Sequence, residues 1–203
     1  MQTPPVDSAN NSECESEDTL SLVSDEVKAR ASKIKLILMD VDGVLTDGKL
    51  FYFPGPDGQT TEFKGFNSQD GLGFHMLHWS GIKTGLISGR DSPAVTERSR
   101  ILNITYVYQG FLQKIATYEE ILQKENLTDE SVAFIGDDFT DFPLIKRSGL
   151  GVCVADGRPE MRARADYVTR VNGGSGALRE VAELVLKTRG LWQPMLAKYG
   201  FVD

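Results

Sequence analysis

The sequence predicts an open α/β fold, a parallel sheet with helices on both faces. Three observations carry that expectation: short apolar runs that end at Gly, Asp or Ser, amphipathic stretches of helical spacing between them, and regular alternation of the two.

In chain order, residues 1–24 read as a disordered acidic tail. They hold Asp7, Glu13, Glu15, Glu17 and Asp18 without Lys or Arg, too polar to bury a core. Ser24 suits the N-cap of a short helix through Val27, Ala29 and Ala31. The runs Lys35–Met39, Thr84–Ile87, Ile104–Tyr108, Val132–Ile135, Gly151–Val154 and Tyr167–Thr169 are short enough for buried strands. Stretches 70–80, 92–102, 114–125, 139–147 and 175–188 have helical spacing; in the last, Leu178, Val181, Ala182, Val185 and Leu186 form one stripe. One segment breaks the rhythm. Leu50 to Phe53, then Pro54-Gly55-Pro56-Asp57-Gly58, then Thr60 to Phe63 read as a β-hairpin projecting over the carboxyl edge of the sheet. The folded domain is expected over 25–189, with 190–203 as a C-terminal tail.

A chain of 203 residues suffices for one domain with tails. Its net charge of -7 argues against nucleic acid or an anionic membrane as the main partner, but not against a small anion held by local cations. No apolar run is long enough to cross a bilayer, and no signal-peptide pattern opens the chain. Cys14 and Cys153 suggest no disulfide framework, so a reducing, cytoplasmic location is expected.

Ligands of an open parallel sheet bind beyond the carboxyl ends of its strands. Asp40 and Asp42 follow the first strand in DVDGVLTDG, Ser88 and Arg90 the second in ISGRD, Lys114 comes shortly after the third, and Asp137, Asp138 and Asp141 follow the fourth in GDDFTD. Each alone is ordinary turn or cap chemistry. Two carboxylate clusters sharing one crevice repel unless a cation joins them, and oxygen ligands without His or Cys favour Mg²⁺ over zinc. One carboxylate of a D-x-D pair can attack phosphorus while the other handles the proton, and Ser88 and Lys114 suit phosphoryl oxygens.

These four motifs together resemble those of the haloacid-dehalogenase superfamily of phosphatases. The hairpin, FNSQDGLGF and GGSGALRE bring the chain closer to the 3-deoxy-D-manno-octulosonate 8-phosphate phosphatases, from about Lys33 to Arg189. The resemblance implies a Rossmann-like, capless phosphatase that assembles as a homotetramer and serves lipopolysaccharide precursor synthesis. It implies Asp40 as nucleophile and Mg²⁺ ligand, Asp42 as general acid/base with a carbonyl on the metal, and Asp137 as the remaining protein ligand. Asp138 and Asp141 would hold metal-bound water or Lys114, while Ser88 and Lys114 would hold the phosphoryl group. Asp42, Asn67, Ser68, Gln69, Asp70, Gly71, His75, Arg90, Arg98 and Lys114 match positions lining the site of a small anionic sugar-acid phosphate.

Gln69 and His75 stand where the family pattern carries Arg and Lys or Arg, and both changes remove a fixed positive charge. They are the features that would favour the alternative to the octulosonate 8-phosphate, a nine-carbon sialic-type acid 9-phosphate. A non-catalytic binding domain on the same fold is a third reading, opposed by the presence of Asp40, Asp42, Ser88, Lys114 and Asp137. His75 and His78 share a helix face without a third ligand for a metal. Gly173, Gly174 and Gly176 suit either an anion cradle or a turn. Phe51, Tyr52 and Phe53 suit a subunit interface. The apolar 191–196 segment packs either on its own domain or on a neighbour.

Overall fold

The computed structural model describes residues 19–56 and 58–201. The bulk of the acidic tail, Cys14 and the hairpin's Asp57 lie outside the described residues.

Six parallel strands form the sheet: β1 (Leu36–Met39), β4 (Lys83–Ile87), β5 (Tyr106–Tyr108), β6 (Val132–Gly136), β7 (Leu150–Cys153) and β8 (Tyr167–Val168), in the order β5-β4-β1-β6-β7-β8. Between β1 and β4 lies an antiparallel pair, β2 (Phe51–Pro54) and β3 (Thr60–Phe63), in a sheet of its own. The helices are α1 (Asp25–Ala31), α2 (Ser68–Trp79), α3 (Pro93–Leu102), α4 (Ile115–Glu125), α5 (Phe142–Arg147), α6 (Pro159–Arg162), α7 (Ala177–Thr188) and α8 (Trp192–Lys198).

Side chains alternate across a strand, so a strand buried on both faces feeds two cores. Ile37, Met39, Ala133, Ile135 and Val152 face one core, with Val27, Phe74, Leu77, Leu178, Val181 and Val185 of α1, α2 and α7. Leu36, Leu38, Val132 and Phe134 face the other, with Tyr118, Ile121, Leu144 and Ile145 of α4 and α5. Each of the larger aliphatic and Phe side chains contributes about 1.5–3 kcal/mol by leaving water. The predicted α7 stripe is buried throughout.

Ser24 caps α1, its Oγ accepting from the Val27 N–H at 3.3 Å. Two of the shifted starts have a visible cause. Asn103 ends α3 in the left-handed region and the Ile104 N–H turns back to Ser99, so β5 begins at Tyr106. Residues 137–141 form a turn held by the Asp141 carboxylate, so α5 begins at Phe142. Short α6 carries no clear signal in the sequence.

Both expected tails are attached to the body where they are described. Thr19–Leu22 form a 3₁₀ turn, Val23 is buried and Leu20 packs on the core. Past residue 190, α8 buries Met195, while Leu191 and Trp192 pack against the same core, so this segment lies on its own domain. The reason is apolar surface: both segments carry residues that gain by leaving water.

The sheet order places the site. From β1 the chain moves outward through β4 and β5, then crosses to the other side for β6, β7 and β8. Strand direction of travel reverses around β1, and a crevice opens there at the carboxyl ends.

Candidate active site

Asp40 follows β1, Asp137 follows β6 and Ser88 follows β4, so adjacent strands deliver all three to the crevice. Lys114 arrives from the N-terminus of α4 and is buried. Its Nζ lies 2.9 Å from Asp40 Oδ1 and donates to Asp141 Oδ1 at 2.7 Å. One oxygen each from Asp40, Asp137 and Asp141 falls within 4.8 Å of the others.

Three carboxylates therefore face one ammonium. Burial first, then the charges of Asp141 and Asp40, push the Asp137 carboxyl up to about 8. Burial and then Asp141 raise Asp40 to about 6, against the pull of Lys114. Burial opposes the Lys114 charge, but Asp141 and Asp40 more than offset it and its pKa rises. The group is short of positive charge.

The free oxygens show where a cation fits. Asp141 is fully engaged, one oxygen on Lys114 and the other accepting the Asp137 N–H at 3.1 Å. Asp137 Oδ1 is buried without a hydrogen-bond partner among the described residues. Asp40 and Asp137 are thus the carboxylates with oxygens open to a hard divalent ion, while Asp141 holds Lys114. Gly43 stands where only hydrogen fits: its φ is +88° and a Cβ would come 2.2 Å from Asp137 Oδ2. Asp138 accepts the Phe139 N–H at 2.7 Å and closes the turn, adding negative charge beside Asp137.

Asp42, two residues past Asp40, turns to a different set of partners. Lys64 donates to its Oδ1, and Arg90 Nε lies 3.7 Å from its Oδ2. Glu62 of β3 binds both cations, with Lys64 at 3.3 Å from Oε1 and Arg90 on Oε2; Tyr52 of β2 accepts from Arg90 at 3.1 Å. The hairpin therefore reaches the crevice, and Lys64 and Glu62 were missed from sequence. Their only signal was two charges in a segment read as an arm. Ser88 is buried, with its Oγ accepting the Arg90 N–H at 3.2 Å.

The remaining expected residues divide. Asn67 caps α2, its Oδ1 accepting from Gln69 N at 2.8 Å, while its Nδ2 donates to Gly174 O and its carbonyl accepts from Arg98. Arg98 also lies 5.7 Å over the Phe66 ring and against Gly71, where a Cβ would meet its Nη2 at 2.8 Å. Asp70 points at the N-terminus of α7: its Oδ1 accepts from Arg179 N at 2.9 Å. Burial raises Asp70 to about 6, against backbone N–H groups of Arg179, Gly176 and Leu178. Ser68 opens α2 on an exposed turn. Gln69 lies beside Gly176, in a pocket lined by Leu20, Tyr167 and Arg179 rather than by the crevice residues. His75 stacks on Trp79 at 6.1 Å, and Trp79 meets Tyr199 after α8. His78 pairs with Thr84 Oγ1 at 2.7 Å, a helix residue satisfied by a strand.

The glycine loop proves to be a buttress. A Cβ on Gly173 would sit 1.8 Å from Gly43 O, and Gly174 donates its N–H to Val44 O at 2.9 Å. The loop needs glycine so that its backbone can lie directly on the loop carrying Asp42.

The model for the haloacid dehalogenase-like hydrolase family matches residues 81–181. The 3-deoxy-D-manno-octulosonate 8-phosphate phosphatase of Escherichia coli is 43% identical over 168 residues, 83% of this chain and 87% of that protein. The crystal structure of the phosphatase of that name from Yersinia pestis has a TM-score of 0.79 at 41% identity, covering 84% of this chain and 90% of its own. That from Moraxella catarrhalis, solved with magnesium ion, phosphate ion and KDO (the free octulosonate), gives 0.81 at 38% identity, covering 86% and 98%.

Proposed function

The chain belongs to the haloacid dehalogenase-like hydrolases, in the group of the 3-deoxy-D-manno-octulosonate 8-phosphate phosphatases, and from that premise we propose how its own residues work. It is a phosphoric monoester hydrolase that uses Mg²⁺ and converts the octulosonate 8-phosphate to the free sugar acid and phosphate. The observation that carries the mechanism is the under-compensated group of Asp40, Asp137 and Asp141 around Lys114.

Asp40 attacks phosphorus, and an aspartyl phosphate forms on its carboxylate. Asp40, Asp137 and the Asp42 carbonyl would hold Mg²⁺, which supplies positive charge to the phosphoryl oxygens and keeps both carboxylates ionised. Lys114, fixed by Asp141, and the Ser88 hydroxyl bind phosphoryl oxygens as charge shifts onto them. Asp42 protonates the leaving sugar oxygen, then takes a proton from the water that hydrolyses the acyl phosphate. Arg90 and Arg98 recognise the sugar acid; Asp70 acts through α7. Within their own chain Gln69 lies beside Gly176 and His75 stacks on Trp79, and the substrate panel below decides between the octulosonate and a nine-carbon acid.

A homotetramer joined through Phe51, Tyr52 and Phe53 and a cytoplasmic location complete this reading, with the 25–189 domain widened by Val23 and Met195, which share its core. The exposure of those three aromatics supports the interface. No helix among the described residues is long and apolar enough to cross a membrane. Phosphate release with Mg²⁺ across a panel of keto-sugar-acid phosphates tests the substrate: kcat/KM for the octulosonate 8-phosphate should exceed that for a nine-carbon acid 9-phosphate by about 10-fold or more. The reverse order would overturn the assignment.

A further inference from the structure

We propose that Lys64, carried past the end of the hairpin, is a positioning residue that fixes the orientation of Asp42, and that Glu62 locks it there. The inference rests on Asp42 being the proton-transfer group of the proposed function.

Four charged groups meet beside Asp42: two carboxylates, Asp42 and Glu62, and two cations, Lys64 and Arg90. Their charges cancel. The two cations nevertheless differ in what they can reach. Arg90 is 43% exposed and can bind a ligand while keeping Glu62. The Lys64 side chain is 0% exposed, and its ammonium touches only carboxylates of this chain. To contact substrate, it would have to abandon a buried partner, a costly exchange for a desolvated charge. Lys64 is therefore placed to hold a protein group.

The geometry at Asp42 shows what is held. Lys64 occupies Oδ1 at close range, whereas Arg90 stands 3.7 Å from Oδ2, too far for a hydrogen bond. One oxygen is anchored and the other is left without a hydrogen bond from either cation, as a carboxylate needs if one oxygen is to give and take a proton. Glu62 supplies the lock, because it binds Lys64 and Arg90 with different oxygens and so sets their spacing across Asp42. Both residues lie on or just after β3, so the hairpin arm is a structural part of the proton-transfer apparatus.

The test is steady-state phosphate release from the octulosonate 8-phosphate with Mg²⁺, read as a double-mutant cycle. Lys64→Met should lower kcat about 10–100-fold, part of what general acid–base catalysis contributes, with KM within about threefold. In an Asp42→Asn background the same change should alter kcat less than about twofold, because the group it orients is gone. Glu62→Gln retains the Lys64 and Asp42 side chains but removes the charge that locks Lys64, and should lower kcat about 3–10-fold, again only while Asp42 is present. A raised KM with kcat retained would make Lys64 a substrate ligand, and an equal loss in both backgrounds would make it merely structural; either overturns the proposal. If Lys64→Met fails to fold, the Glu62→Gln pair decides alone. A wild-type enzyme inactive on every sugar-acid phosphate would strike the proposed function itself, a result distinct from all of these.

Discussion

Asp40 and Asp42 leave the same strand end two residues apart, yet they enter opposite electrostatic regimes. Around Asp40, three carboxylates share one buried ammonium, and the carboxyls of Asp40 and Asp137 are driven up to about 6 and about 8. Around Asp42, two carboxylates meet two cations. The first group is strained by missing positive charge and gains by binding Mg²⁺ and a phosphoryl group. The second is neutral and keeps its shape without help. A site that must accept a cation is built beside one that must not move.

The sharpest break in this comparison is Asp40→Asn. Turnover should fall on the order of 10⁴-fold or more, the scale of losing a covalent nucleophile, measured as phosphate release. Changes at Lys64 and Glu62 of the neutral group should cost no more than about 100-fold.

Next is Lys114→Met, which leaves three buried carboxylates without their cation. Denaturant unfolding in EDTA should show about 3–5 kcal/mol lost, the cost of stripping one partner from a buried ionic group. Adding Mg²⁺ should restore part of it. Equal stability with and without Mg²⁺ would refute the shortage of positive charge.

Mg²⁺ at about 100 times its Kd should stabilise the wild type by about 2.7 kcal/mol, raising Tm by several degrees. Asp137→Asn should abolish that shift in a thermal melt, since it removes the carboxylate with the orphaned oxygen.

The pH dependence follows from the same group. A carboxyl whose folded pKa lies above its unfolded value binds more protons when folded. In EDTA, stability should therefore fall as pH rises from about 4, through the Asp40 value near 6, to the Asp137 value near 8, and then level off. Saturating Mg²⁺ should flatten this slope. Unfolding curves at several pH values decide.

The smallest effect is expected from Tyr52→Phe. It removes one partly exposed hydrogen bond to Arg90 while Glu62 still holds that guanidinium, so stability should change by less than about 0.5 kcal/mol. A large loss would mean that the neutral group is less self-sufficient than its charges suggest.

Much of this was legible in the chain. The six parallel strands, the hairpin and the principal helices all follow from apolar runs, helical spacing and turn residues, although the edge strands β5 and β8 are only partly buried. The strand-end rule then gathered Asp40, Ser88 and Asp137 into one crevice with Lys114, because the end of a parallel strand has only one place to point. Less legible were the substrate positions. Asp70 sits in a motif suggestive of ligand contact, yet its carboxylate meets a backbone N–H group 109 residues away. Within this chain Gln69 lies beside Gly176 and His75 on Trp79, neighbours that no local pattern announces.

The sequence by itself determined the kind of chemistry: which carboxylates end strands, which lysine opens a helix, and hence a phosphoryl-transfer crevice that calls for a divalent cation. Tertiary structure alone decided how the two carboxylates of DVD part ways. Lys64 reaches Asp42 across 22 residues, Glu62 reaches Arg90 across 28, and Gly173 lies on Gly43. Local patterns fix where a strand ends, since periodicity and turn chemistry act over a few residues. Charge pairing depends on distance in space, and only the folded-back hairpin brings those partners within reach.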